Sequence, residues 1–370
     1  MILTFPHMGR VYITLKGLFD DLGVKTVIPP PVSQRTLEIG TRISPETACL
    51  PLKINLGNYI ESIAQGADTI VLTGTCGPCR FGYYGVMEQE ILRDNGYNAD
   101  VVILESPTRD PKAFFQRIRK ISGNQSWPAI GKSFLQAYGV LTQVDELLDL
   151  SLRKRPREKN SGETDRALTQ FEKQVRSCCG SREILGLIHQ YQDIFAGIEE
   201  KENGDPLKIG VVGEIYTLIE PYVNLNIGKK LGALGVEVYR GITITDWVRT
   251  HLYPDRDYRK QRKEKMERGK EYLGLCIGGH AWETVASAVH YCDMGLDGVI
   301  QILPFGCMPE IVAESILPAI SRDRDFPVMT LTVDEMTGEA GYLTRLEAFV
   351  DLLSQKKERK YEQDGIVSGT

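Results

Sequence analysis

Short apolar runs alternate with amphipathic stretches along the first third of the chain. The runs that predict strands are 2–5, 25–28, 68–73 and 100–104. The stretches with helical spacing of apolar residues are 11–22, 48–64 and 82–95. Strands that alternate with helices in this way are typical of a parallel sheet covered by helices. We therefore predict an α/β domain over residues 1–125.

The pattern changes between residues 126 and 204, where β-branched runs give way to long amphipathic stretches. Apolar residues at helical spacing in 167–175 and 181–195 predict helices there. The segment 153–163 is so rich in charge that we expect a solvated loop. We predict a helical insert over 126–204.

Strand and helix patterns alternate again from residue 205. The predicted strands are 208–212, 236–239, 299–303 and 328–333, and the predicted helices include 282–291, 310–320 and 345–353. The charged segment 356–370 should fray. The fold class is thus α/β, with two Rossmann-like parallel-sheet domains, 1–125 and 205–355, that flank the insert.

The two α/β halves share a weak internal repeat. Residues 66–78 and 295–309 each contain a glycine, an aspartate, an apolar strand, a glycine-containing turn and then Cys-x-Pro before a helix. In open α/β sheets, ligands bind beyond the carboxyl ends of the strands. The repeat therefore places Cys76 and Cys307 where such a fold keeps its chemistry.

Four cysteines are predicted at turns from strand to helix. They are Cys49, Cys76, Cys79 and Cys307. Four thiolates match the ligand set of a [4Fe–4S] cluster, and the long, irregular spacing favours that interpretation. A zinc site remains an alternative, although zinc ligands usually come in closely spaced pairs. A redox dithiol of Cys76 and Cys79, or buried cysteines that only fill the core, are two further alternatives.

Composition narrows the function classes. Of the 370 residues, 42% are hydrophobic, which excludes a generally disordered chain. The 44 Lys and Arg residues and 49 Asp and Glu residues leave a net charge of −5, so the chain lacks the positive charge of a typical nucleic-acid-binding protein. No apolar run approaches the roughly 20 residues of a membrane span. The start of the chain lacks the features of a signal peptide, so we expect a cytoplasmic protein.

In the cytoplasm, a chain with eight cysteines favours metal or redox chemistry over structural disulfides. Two of the others, Cys276 and Cys292, would allow a larger cluster.

Seven motifs in order give the chain a resemblance to a known family. They are Thr4-Phe-Pro-His-Met-Gly9, Pro45-Glu-Thr-Ala-Cys-Leu-Pro-Leu-Lys53, Gly74-Thr-Cys-Gly-Pro-Cys-Arg-Phe-Gly-Tyr83, Gly213-Glu-Ile-Tyr216, Gly278-Gly-His280, Pro304-Phe-Gly-Cys-Met-Pro-Glu310 and Asp334-Glu-Met-Thr-Gly-Glu339. Together they resemble the acyl-CoA dehydratase activase-related proteins. The resemblance covers nearly the whole chain apart from the insert and the tail.

This resemblance implies a relative of the 2-hydroxyacyl-CoA dehydratases and double-cubane-cluster proteins, whose Rossmann-like domains hold an iron–sulfur cluster between them. It implies that a separate ATP-hydrolysing activase supplies low-potential electrons, which pass to a small molecule such as an acyl-CoA or to a partner enzyme. A non-catalytic cluster carrier, or a maturation or scaffold factor for a dehydratase, is the alternative. The chain has no phosphate-binding loop of its own. A homodimer is the commonest assembly for such a protein.

Other polar residues are predicted near the same sheet edges. The candidates for proton transfer or substrate contact are His7, Glu310 and Glu335. Those expected around the cysteines are Glu46, Lys53, Arg80, Glu214 and His280. Arg80 and Lys53 could offset the negative charge of a four-thiolate cluster, and the turn before His280 could bind an anion. Helix capping and surface ion pairs are equally good interpretations of these residues.

Overall fold

The computed structural model describes residues 1–74, 81–105, 110–202, 205–253 and 255–367. Within these ranges the strands form two parallel sheets. They are β1 (Leu3–Thr4), β2 (Thr69–Thr73), β3 (Asp100–Leu104), β4 (Leu207–Gly213), β5 (Val236–Arg240), β6 (Gly298–Pro304) and β7 (Val328–Val333). The first sheet has the order β1-β2-β3 and the second the order β5-β4-β6-β7. The α/β class and the parallel sheets are thus confirmed.

Helices connect the strands and cover the sheets. In chain order they are α1 (Val11–Asp21), α2 (Gln34–Ile43), α3 (Leu50–Ala64), α4 (Phe81–Asp94), α5 (Pro111–Ile121), α6 (Trp127–Lys154), α7 (Glu163–Val175), α8 (Gly180–Ala196), α9 (Ile215–Ile219), α10 (Ile227–Ala233), α11 (Ile244–His251), α12 (Arg256–Arg268), α13 (Ala281–Asp293), α14 (Met308–Asp323) and α15 (Glu339–Val367). Within the described ranges, none of them combines the length and the apolar character that a membrane crossing requires.

Several predicted elements coincide with observed ones. The strands predicted at 100–104 and 328–333 are β3 and β7, with the predicted limits. Every residue of β6 is buried, as expected for a parallel strand that is covered on both faces. In the first sheet Thr73 lies opposite Leu104, and in the second Gly213 lies opposite Ile302. Neighbouring strands end within three residues of one another, so their carboxyl ends lie along one edge of each sheet.

Helices α6 to α8 do occupy the region 126–204, but they do not form a core of their own. Phe171 of α7 and Ile184 of α8 belong to the same buried cluster as Phe5 and Ile13 of the first sheet and α1. The apolar faces of these helices thus continue the core of the first half.

The charged segment 153–163 is not simply solvated, which corrects the prediction. Arg155 is buried and pairs with Asp165 at 2.9 Å, and the buried Glu158 accepts a hydrogen bond from the Thr164 N–H at 2.8 Å. Only Arg153 and 159–161 are exposed. Burial here is possible because the charges have partners within the fold, which composition alone does not reveal.

Two other predictions were wrong in extent. The run 25–28 pairs with β1 only at one position, Leu3 with Thr26, rather than as a strand. The charged tail does not fray from residue 356, because α15 continues to Val367. Lys357 in that stretch pairs with Asp205 at 2.7 Å, which anchors the helix to the start of the second half.

Helix α3 lies between the two sheets and is buried along most of its length. Leu52 and Tyr59 pack with the first sheet, while Leu50 and Ile54 belong to the buried cluster of the second. Helix α2 approaches it very closely: a Cβ on Gly57 would lie 1.9 Å from the Thr36 carbonyl oxygen, and one on Gly40 would lie 1.7 Å from the Lys53 carbonyl oxygen. Only glycine permits this contact.

The substitution Gly57→Ala tests that contact. We expect it to lower the free energy of unfolding by about 1–3 kcal/mol, because the added methyl group forces α2 and α3 apart. Urea denaturation measures the effect. The matched control is Gly139→Ala in α6, where nothing lies within 4 Å of the new methyl group. There alanine should stabilise the helix by about 0.5–1 kcal/mol. A Gly57→Ala protein as stable as the wild type would contradict this packing.

Candidate functional site

The carboxyl ends of six strands surround one cleft between the two sheets. Its volume is about 820 Å³, within the range of small-molecule sites. Residues at or just after the strand ends line it: Pro6, Thr73, Leu104, Glu214, Gly241 and Cys307. The repeat in the sequence predicted chemistry at these edges, and the structure brings both edges to the same cavity.

Cys307 caps the N-terminus of α14 and is buried at the cleft wall. Burial raises the pKa of the Cys307 thiol, and the nearby Glu214 carboxylate raises it further by a smaller amount. The backbone N–H of Glu310 donates to the sulfur and partly opposes that shift. The net effect favours the neutral thiol, although the same hydrogen bond from the first turn of the helix would also be available to a thiolate.

Cys49 caps the N-terminus of α3 and comes from the other half of the chain. Its half-buried sulfur lies 2.7 Å from the Tyr84 hydroxyl of α4. Cys49 is the last and smallest of the influences that raise the pKa of Cys307. The two described members of the predicted cysteine set thus come from different halves of the chain, and both lie at helix N-termini.

The other predicted ligands, Cys76 and Cys79, lie outside the described residues, as does Arg80. Over the part of the chain that is described, no three His, Cys, Asp or Glu side chains surround a common metal position.

Of the remaining cysteines, Cys276 and Cys292 lie apart from each other, whereas Cys178 and Cys179 are consecutive in the chain. Cys276 is exposed and lines the cleft. Cys292 lies near the opposite end of α13, where Arg324 and Lys356 are its charged neighbours. The structure does not bring these two together, so a larger cluster that uses both is not supported by their positions. Cys178 and Cys179 lie in the turn before α8.

Lys53 is a buried cation that joins the two halves. Its ammonium donates to Glu335 Oε1 at 2.6 Å and to the Glu46 backbone carbonyl at 3.1 Å. These three candidates are thus neighbours, although Glu335 comes from the turn after β7. Because the Lys53 ammonium forms an ion pair with Glu335, this contact links α3 to the second sheet.

His7 is also a tie between the halves. Its Nδ1 lies 2.9 Å from Glu220 Oε2, and its carbonyl accepts a hydrogen bond from the Tyr216 hydroxyl at 2.8 Å. The Gly9 N–H donates to the same Glu220 oxygen at 2.7 Å. His7 is not among the residues that line the cleft. Its contacts are those of a buried structural histidine.

Glu310 is completely buried at the cleft wall. Gln301 donates to Glu310 Oε2 at 3.0 Å, and the Thr284 hydroxyl lies 3.1 and 3.0 Å from its two carboxyl oxygens. Burial raises its pKa to about 8, and the Glu214 and Glu283 carboxylates add to the effect. A carboxyl group that is protonated at neutral pH could act as a proton donor in the cleft.

Glu214 and His280 approach the cleft from the turns after β4 and before α13. Gly213 has φ +138°, which turns the chain so that Glu214 can cap α9 by accepting from the Thr217 N–H at 2.8 Å. Burial lowers the pKa of His280, although the Glu283 and Glu214 carboxylates oppose it. Arg262 pairs with Glu283 beside it. His280 therefore lies near two carboxylates, of which Glu283 is already paired with a cation.

The sequence analysis missed Glu88 of α4. This carboxyl is 1% exposed, accepts hydrogen bonds from Asn55 Nδ2 at 3.2 Å and the Tyr59 hydroxyl at 3.4 Å, and has its pKa raised to about 8 by burial. The signal was present, because Glu88 lies four residues from both Tyr84 and Leu92, which are buried on the same helix face.

Compared with known proteins, the chain matches no family model and no curated protein sequence.

Glu88→Gln should change how stability depends on pH. The folded carboxyl loses its proton near pH 8, whereas the unfolded one does so near 4.5. The folded state therefore binds more protons between these values, and the free energy of unfolding falls as pH rises through them. Between pH 5 and pH 9 the wild type should lose on the order of 4 kcal/mol more than the variant.

Urea denaturation at the two pH values measures the difference. Glu90→Gln is the matched control, because Glu90 is an exposed acid on the same helix. Its pH dependence should equal that of the wild type. An unchanged pH dependence in Glu88→Gln would show that the Glu88 carboxyl ionises normally.

Proposed function

We propose that this chain is an iron–sulfur protein that accepts low-potential electrons from an ATP-hydrolysing, activase-type reductase and passes them to a small molecule or a partner enzyme. The observation that carries the proposal is that Cys49 and Cys307, one from each half of the chain, both lie at helix N-termini. Bound there, a [4Fe–4S] cluster would supply one-electron transfer.

The residues around the two thiols fit such a group. Cys307 receives a hydrogen bond from the Glu310 N–H, which would favour a thiolate ligand, whereas its burial favours the neutral thiol until a metal binds. Tyr84 holds the first turn of α4 beside Cys49. Cys79 precedes that helix by two residues in the sequence and, with Cys76, would complete the ligand set. Lys53 lies one turn after Cys49, buried and paired with Glu335.

The rest of the proposal rests on the resemblance and on general chemistry. The two parallel sheets would belong to Rossmann-like domains, and α6 to α8 would form an insert between them. An acyl-CoA would be one of the possible electron acceptors. The six free cysteines of the described ranges favour a reducing compartment such as the cytoplasm. Glu310 would supply a proton in the cleft when the acceptor is reduced.

Iron and sulfide analysis of protein purified without oxygen tests the cluster. We expect about four irons and four acid-labile sulfides per chain, with a broad visible absorption band. Cys307→Ser and Cys76→Ser should each lower the iron content and change the spectrum, because each removes a ligand. Cys292→Ser is the control and should leave both unchanged. Zinc alone, or a brown protein whose spectrum survives both ligand substitutions, would refute the ligand assignment.

Retention of the cluster separates an electron-transfer protein from a cluster carrier. Because Cys307 is buried, we expect the iron to stay with the chain through repeated reduction and reoxidation. Iron analysis after each cycle, with and without an apo-ferredoxin, measures this. Transfer of most of the iron to the apo-ferredoxin would instead favour the carrier.

A further inference from the structure

Lys265 of α12 lines the cleft, and its side-chain nitrogen has no carboxylate partner there. The residue is half-buried. Its Nζ donates to the Gly241 carbonyl oxygen at 3.3 Å, and no carboxylate in the described part of the chain forms an ion pair with it. Arg262, three residues earlier on the same helix, does pair with Glu283. Lys265 is thus a cleft lysine whose nitrogen is held by one long hydrogen bond.

The Lys265 nitrogen lies at the carboxyl edge of the second sheet. Gly241, whose carbonyl it contacts, directly follows β5 and also lines the cleft. Ligands of open α/β sheets bind beyond this edge. Helices α11 and α12 contribute Trp247, Tyr258 and Met266 to the same cavity, so part of the wall near the amine is apolar. A molecule held in the cleft would therefore meet an amine beside apolar surface.

The groups packed around Lys265 disfavour its positive charge on balance. Burial lowers the pKa of the Lys265 amine, although the Asp246 carboxylate of α11 and the Glu283 carboxylate of α13 oppose the shift. The Arg262 guanidinium lowers this pKa further. His290 of α13 is another neighbour, and burial lowers its pKa, so at neutral pH it adds no positive charge. A lysine that is desolvated and next to another cation is the activated form of this nucleophile.

We propose that Lys265 is a nucleophile for aldehydes or ketones that enter the cleft. The lone pair of the neutral amine attacks the carbonyl carbon, and the product is a carbinolamine whose hydroxyl oxygen was the carbonyl oxygen. That oxygen then leaves as water with the two hydrogens of the amine, and a carbon–nitrogen double bond forms. The step consumes no oxidant or reductant. It involves neither the cysteines nor electron transfer, so this activity is additional to the proposed function.

Reductive trapping locates the reactive amine. The full chain is incubated at neutral pH with 2-naphthaldehyde and sodium cyanoborohydride, which reduces an imine to a stable secondary amine. Peptide mass spectrometry then identifies the labelled lysines. We expect Lys265 to carry at least about tenfold more label than Lys263, an exposed lysine of the same helix, because the cleft holds the aldehyde beside the amine.

Three variants accompany the wild type. Lys265→Met keeps a long side chain without the amine, so the preferred site of labelling should disappear while the other lysines are labelled as before. Lys263→Met is the matched control and should leave the label at Lys265 unchanged. Arg262→Gln removes the nearby cation and frees the Glu283 carboxylate, and both changes favour the ammonium form. Labelling of Lys265 in that variant should fall severalfold at neutral pH and recover at higher pH.

The ratio of label at Lys265 to label at Lys263 in the wild type decides the outcome, and it does not depend on how any variant folds. A ratio near one, or label spread evenly over the exposed lysines, would overturn the inference. Iron analysis of the same preparations keeps the two proposals separate. Preferred trapping at Lys265 in a protein without iron supports the amine while the cluster proposal fails. Iron without preferred trapping leaves the cluster proposal standing and refutes the amine.

Discussion

The close contact between α2 and α3 is the constraint on which the architecture depends. At Gly40 and Gly57 the two backbones touch, and this allows α3 to lie between the sheets with apolar residues directed to both. A helix with only one apolar face could not serve two cores. Because α3 begins at Leu50, directly after Cys49, and carries Lys53, its placement also decides where the Lys53 ammonium meets Glu335 of the second half.

Several ionisable side chains are buried, and their surroundings differ. Lys53 and His7 each contact a carboxylate of the other half, so these polar ties cross between the sheets. Glu88 and Glu310, by contrast, face neutral hydrogen-bond donors, and burial shifts their pKa values upward. The same low-polarity interior therefore has two effects: it strengthens charge pairs, and it favours the neutral form of acids that lack a cation.

Local pattern was sufficient for some features and insufficient for others. Runs of apolar residues set the limits of β3 and β7. A proline two residues after the cysteine marks the helix starts at Cys49 and Cys307. All of these signals are local in the sequence. Arg155 looked solvated because its partner Asp165 is brought close by a turn that composition does not encode. The hydrogen bond between Asn55 and Glu88 could not be predicted for a similar reason, since the two residues lie 33 positions apart in the sequence.

The double burial of α3 also bears on how the cleft can work. Rotating one sheet away from the other would expose Leu50 and Ile54 or Leu52 and Tyr59 to water, at about 1.5–3 kcal/mol for each large side chain. The sheets are thus unsuited to opening as a hinge, and the cavity exists before any ligand arrives. Association then requires little ordering of the protein. Selectivity in a cavity formed in advance comes from shape and hydrogen-bond matching.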